Sequence, residues 1–147
     1  MSELSEEGKL SKELLDQILE DMKIERYSST NELKQMCRDA ATLTQKYTEM
    51  YYSYKRNMNK LQVKLKTVEG DLFKKIKNDG YDGLNISSSA DIYTLIRREK
   101  SYVLLKGYVD EFELAVEFLE QTIKNFNTRS WKLRDLVEIE KIDNMGG

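Results

Sequence analysis

Proline and histidine are absent from all 147 residues, and cysteine occurs once. Without proline, no ring clash or missing N–H forces a break in a helix. Without histidine there is no imidazole to act as a base near neutral pH, and no Ser–His or Cys–His nucleophile pair. One cysteine and no histidine also exclude standard zinc spacing. Cys37 has no disulfide partner in the chain and reads as a small buried apolar residue in a reducing compartment. There is no GxxxxGKS or GxxxxGKT segment, hence no conventional phosphate loop. No apolar run reaches membrane-spanning length, and the acidic N-terminus lacks a signal-peptide core. The expectation is a soluble, intracellular chain that is not an enzyme, touches no membrane, and needs no metal or cofactor.

What is present is charge and periodicity. Charged residues make up 34% of the chain and hydrophobic residues 39%, with seven glycines. That balance suits extended helices with wet faces. Leu33, Cys37, Ala40, Thr44, Tyr47, Tyr51, Tyr54, Met58, Leu61, Leu65, Val68 and Leu72 follow steps of four and three without a slip. Such steps keep one stripe facing a partner, so Asn31 to Lys77 reads as a single long helix. At 1.5 Å per residue it is about 70 Å long, and Gly70 weakens it by about 1 kcal/mol relative to Ala, inviting a bend. A rod of this kind cannot bury its stripe against itself; it needs another helix, another chain, or both.

The flanking segments supply candidates. A short helix is expected from Ser11, its cap, to about Arg26, with Leu14, Leu15, Ile18, Leu19 and Met22 on one face. Ser29 followed by Glu32 forms a capping box for the long helix, after an interruption at Tyr27 to Thr30. Asn78-Asp79-Gly80-Tyr81-Asp82-Gly83 and Ser87-Ser88-Ser89 are turn and loop chemistry; the Asp-Gly run lacks the later glutamate of a calcium loop and reads as a turn. Ser88 with Asp91 then opens a third helix carrying Tyr102, Leu105, Val109, Phe112, Val116, Leu119, Ile123 and Phe126. Asn127, Thr128 and Ser130 weaken it locally, Leu133, Val137 and Ile139 suggest that helix resumes or continues to about Ile142, and Met145-Gly146-Gly147 frays. The expected architecture is all-α: a long antiparallel helical hairpin (29–147) preceded by an acidic helix and linker (1–28). Tyr52, Val63, Phe73, Ile92, Ile96, Leu114 and Phe118 widen the stripe, which favours oligomerisation through helix packing.

Net charge is −2, but it is unevenly spread. Ser2 to Glu25 holds eight acids against Lys9, Lys12 and Lys23, while Lys46 to Lys77 holds nine bases against Glu49, Glu69 and Asp71. Lys60, Lys64, Lys74 and Lys75 lie off the stripe, with Lys66 and Lys77 on its other flank. Repeated lysines along a rod can neutralise successive phosphates, and nearby tyrosines (Tyr47, Tyr51, Tyr52, Tyr54) and Phe73 can stack on unpaired bases. The plainer alternative is that the tyrosines are core and the lysines only solubilise. A second cluster, Asn125 to Arg134, sets three bases around the single tryptophan, Trp131. It suits either base stacking or, with Leu133 and Val137 close by, a subunit contact.

Asn127-Thr128-Arg129-Ser130-Trp131-Lys132-Leu133-Arg134, ahead of Asp135 to Lys141, resembles the C-terminal signature of UvsY-type recombination mediators of T-even-like phages. Arg129, Trp131, Leu133 and Arg134 meet its pattern of base, aromatic, aliphatic, base. Ser101 to Lys124 is similar to the helix before it. The resemblance covers the last third of the chain well, the long basic helix loosely, and residues 1 to 28 hardly at all. It implies a non-enzymatic protein that binds single-stranded DNA and assembles into rings of about six or seven subunits. It further implies help for a RecA-like recombinase in displacing single-strand-binding protein, in the cytoplasm of a host bacterium. It places DNA contacts on a base-x-base pair, here Lys64-Leu65-Lys66, although the tyrosine pair that follows in the family is absent. The expected DNA-binding residues are therefore Lys60, Lys64, Lys66, Lys74, Lys75 and Lys77. Phe126, Arg129, Trp131, Leu133 and Val137 are the expected oligomer interface. The alternative is a structural or scaffolding coiled coil with no nucleic-acid role.

Overall fold

A computed structural model describes residues 10–23 and 29–146. Among these described residues four helices follow in order: α1 (Lys12–Met22), α2 (Thr30–Asp79), α3 (Ser89–Ile96) and α4 (Lys100–Gly146). Ser11 caps α1, its Oγ accepting the Leu14 N–H at 3.1 Å. Ser29 caps α2 in the same way, accepting from the Glu32 N–H at 3.2 Å. Both caps are where the sequence puts them. The residues expected to end the first helix, Ile24 to Arg26, and the break at Tyr27 and Ser28 lie outside the described residues.

α2 runs for 50 residues and stays helical through Gly70. It ends where Gly80 takes a φ of +77°. A Cβ at Gly80 would be driven into the carbonyl oxygen of Leu84, because Tyr81 and Leu84 close a tight turn by exchanging backbone bonds of 2.9 and 3.0 Å. The turn thus spans Tyr81 to Leu84 just after Gly80, and Asn78 and Asp79, expected in the turn, are the last residues of α2.

α2 and α4 pack antiparallel along their length. Leu33 and Ala40 near the start of α2 meet Leu133 and Val137 near the end of α4. Tyr47 stacks on Phe126, ring centroids 5.2 Å apart and planes 9° from parallel. Tyr54 meets Phe112 edge-on at 6.2 Å. Further along, Gln62 donates to Glu113 at 3.2 Å. The twelve stripe residues of α2 are all buried or half-buried, the most deeply enclosed (Leu33, Ala40, Tyr47, Tyr54) recurring every seven positions. Each large side chain so enclosed contributes about 1.5–3 kcal/mol.

Two expectations are corrected. The third helix is two helices: Arg98 and Glu99 bond back to Leu95 and Ile96 in a tight turn, and α4 restarts at Lys100. Ser88 stands at the N-cap of α3, but its side chain makes no capping bond. The turn swings α3 across the closed end of the hairpin, where Ile92 and Ile96 bury against Ile76, with Leu72 and Phe73 beside them. Ile92, Ile96 and Phe73 therefore serve the protomer's own core rather than widening a stripe for further helices. Second, Asn127, Thr128 and Ser130 do not interrupt α4, which is continuous to Gly146. Their neighbours Phe126 and Leu133 are anchored in the core, and that burial outweighs weak local propensity.

α1 lies beside the hairpin. Leu14 and Ile18 join the core cluster of Tyr47, Tyr54, Ala115, Leu119 and Phe126. Leu19, on the edge of its expected apolar face, stays exposed. No strand occurs among the described residues.

Candidate nucleic-acid interface

The seven-residue repeat sorts each long helix into rows, and the rows settle which charged residues share a flank. On α4, Glu111, Phe118, Asn125 and Lys132 form one row. It borders α1, since Leu10 and Leu15 line a cleft with Glu111 and Phe118, and Met22 lines one with Asn125 and Lys132. Lys106, Glu113, Glu120, Asn127, Arg134 and Lys141 form a row on the other flank. Two further clefts open there between α2 and α4. One of about 530 Å³ is lined by Asn59, Gln62, Lys66, Glu69, Lys106 and Glu113. The other, of about 280 Å³ at the hairpin's open end, gathers Lys34, Arg38, Arg134 and Lys141.

All six lysines expected to contact DNA (Lys60, Lys64, Lys66, Lys74, Lys75 and Lys77) are solvent-exposed. None of them forms an ion pair among the described residues; the four pairs are Lys23–Glu20, Lys106–Asp110, Lys124–Glu120 and Lys141–Glu138. Their charges are uncompensated, but they do not form one stripe. Lys66 shares a row with Arg38, Tyr52 and Asn59 and faces the larger cleft. Lys64 shares a row with Leu43 and Met50, which pack toward the α1 side. Leu65, half-buried on the seam, separates them. Lys64 and Lys66 therefore point to opposite flanks of α2.

The tyrosines divide as well. Tyr47 and Tyr54 are buried and unavailable to a ligand, whereas Tyr52 is exposed and Tyr51 half-buried. Lys55 Nζ sits 5.5 Å from the Tyr51 ring centroid. Phe73 packs on Tyr93 at 5.2 Å in the α3 cap.

Of the five residues expected at an oligomer interface, Phe126, Leu133 and Val137 are enclosed within the protomer, at 0%, 1% and 9% exposure. Their stripe is satisfied by α2. Arg129 is half-buried and donates to the backbone carbonyl of Asp21, fastening α1. Trp131 alone stands outside, 64% exposed, with the Arg134 guanidinium 5.2 Å from its ring centroid. The bases missed by sequence reasoning, Lys34, Arg38 and Lys141, were findable from the same seven-residue rows.

Charge states follow simple pairings. A hydrogen bond to Asp110 raises the Lys106 pKa, so that cleft lysine stays protonated. A hydrogen bond to Glu20 does the same for exposed Lys23. Tyr81 is held protonated above the usual tyrosine range by its hydrogen bond to Glu99. No cluster of three potential metal ligands occurs among the described residues. No helix among them is long and apolar enough to cross a membrane.

Among solved structures, the bacteriophage T4 recombination mediator protein UvsY superposes with a TM-score of 0.71. The match covers 90% of this chain and 97% of that one, at 11% sequence identity. The fold is UvsY-like. The match thus extends well beyond the last third of the chain, where the sequence resemblance is strongest. No protein-family profile and no curated protein sequence matches the chain.

Proposed function

We propose that this protein is a non-enzymatic recombination mediator that binds single-stranded DNA as a homo-oligomer in the cytoplasm of a phage-infected bacterium. In that role it helps a RecA-like recombinase take over DNA from single-strand-binding protein. The observation that carries this reading is the UvsY-like fold bearing six exposed, uncompensated lysines along the middle and end of α2. Each cation that meets a phosphate releases a counterion, so weak contacts add. Repetition around a closed assembly would then multiply them.

Self-assembly is supported by unused apolar surface. Leu104, Ile139 and Ile142 are exposed, on either side of the stretch of α4 that α1 borders at Leu114 and Phe118. They fall on two adjacent seven-residue rows of α4, away from the α2 seam. A second copy is the natural cover for such a strip, and a ring closes if the contact is head-to-tail.

The test is binding of labelled oligonucleotides over a range of salt. For a single strand, the log of the affinity should fall with log salt by about 0.7 per phosphate contacted. Replacing Lys60 and Lys64 by Gln should weaken binding and flatten that slope with the assembly mass unchanged. Absent or salt-independent binding would leave a scaffolding coiled coil.

A further inference from the structure

We propose that the cleft at the open end of the hairpin is a second seat for single-stranded nucleic acid, with Trp131 as its base-stacking platform. This rests on the function proposed above and adds a contact surface far from Lys60 to Lys77. The cleft gathers Lys34, Arg38, Arg134 and Lys141 against one acid, Glu138. Lys141 pairs with Glu138 at 3.4 Å. Lys34, Arg38 and Arg134 have no ion-pair partner among the described residues. The Arg38 guanidinium is steadied by bonds of 3.2 and 2.7 Å to the neutral Gln35 side chain, which orients it without cancelling its charge.

Three uncompensated cations around one inter-helix cleft repel one another, so an anion there relieves the repulsion. The geometry points to a chain of phosphates rather than a single anion. Lys34 and Arg38 stand about 6 Å apart along the helix axis, one turn above the other, a row instead of a point. Trp131 selects among polyanions. It belongs to the row of Glu138, which lines the cleft, and its ring lies open beside Arg134. An indole with a guanidinium against it is a surface on which an unpaired base stacks, and an acidic polypeptide has no use for it. The same flank carries Tyr52, Lys55 and Lys66 further along α2, whereas α1 occupies the other flank.

Because Trp131 is the only tryptophan in the chain, its emission reports this seat alone. The full-length protein is titrated with oligothymidylate, following tryptophan emission and, in parallel, polarisation of labelled DNA. Saturable quenching that salt reverses is expected. Arg38→Gln with Arg134→Gln should cost about tenfold in affinity, lower the salt slope by about 1.4, and abolish the quench. Lys60→Gln with Lys64→Gln should keep it. Lys34→Gln provides a milder version should the double variant fold poorly, with a smaller loss in the same direction.

DNA binding by polarisation with unchanged Trp131 emission and full affinity in the arginine variant would overturn the seat while leaving the mediator function standing. Absence of binding by polarisation would remove both. Quenching by polyglutamate but not by DNA, or quenching that tracks particle mass in sedimentation, would reassign the cleft to an acidic chain or a subunit contact, and overturn the proposal.

Discussion

Arg129 on α4 donates through its guanidinium to the backbone carbonyl oxygen of Asp21, in the last turn of α1. That carbonyl is one of the four a helix leaves without an internal partner. α1 has no base in its own last turn, so a cation arriving from another helix both caps it and meets its negative end. The Asp21 carboxylate in turn accepts the Tyr47 hydroxyl at 2.6 Å. One residue thus joins α1 to both arms of the hairpin.

Arg129→Met should release α1 without unfolding the hairpin. A hydrogen bond from a charged donor is worth about 1.5–3 kcal/mol, so amide exchange across Lys12–Met22 should accelerate at least about tenfold. Exchange in α2 around Tyr54 should change little. Unchanged exchange in α1, or acceleration everywhere, would contradict this account of the clamp.

Phe126 and Trp131, five residues apart, should respond in opposite ways. Phe126→Ala empties a fully enclosed site stacked on Tyr47 and should cost about 3–5 kcal/mol in chemical denaturation. Trp131→Ala removes an exposed ring and should stay within about 0.5 kcal/mol. Similar losses for both would mean that the α2–α4 register is wrong.

The reason Phe126, Leu133 and Val137 were expected at a subunit contact shows where sequence reading stops. A seven-residue stripe states that a helix needs a partner, and says nothing of whether that partner is the same chain. Leu33 to Leu72 was legible because its period never slips, and both serine caps because their chemistry is local. The turn at Arg97 to Glu99 was not legible, since no glycine or proline marks it. It exists because Ile92 and Ile96 gain a core with Ile76 by leaving the line of α4. The division of Lys64 and Lys66 between flanks was legible from their spacing around Leu65; what covers each flank was not.

Two glycines in or near α2 predict opposite signs. Gly80→Ala places a methyl against the Leu84 carbonyl at a φ of +77° and should destabilise by about 1–3 kcal/mol. Gly70→Ala meets nothing within 4 Å in a helix interior and should stabilise by about 0.5–1 kcal/mol. Thermal denaturation of the two variants gives both signs, and a gain at position 80 would refute the turn.

The Tyr81–Glu99 contact gives a pH dependence. Because the hydrogen bond raises the folded pKa above 10, its stabilising effect is present below the unfolded value and disappears as pH climbs through the folded one. Glu99→Gln should return the Tyr81 titration, followed by NMR, toward 10. A titration that does not move would detach Glu99 from that tyrosine.

The exposed strip on α4 should respond to charge. Ile139→Glu with Ile142→Glu places two carboxylates where a neighbouring subunit is proposed to pack, and neither residue lies in the protomer's core. Burying an unpaired charge costs several kcal/mol, whereas leaving it in water costs almost nothing. The variant should therefore sediment as smaller particles while keeping the helical signal and melting behaviour of a folded hairpin. If Lys66 and its neighbours act only through repetition, oligonucleotide affinity should fall together with particle mass, although no base has been altered. Assemblies of unchanged size would place the subunit contact on another face, and affinity that survives dissociation would mean that a single hairpin grips the strand unaided.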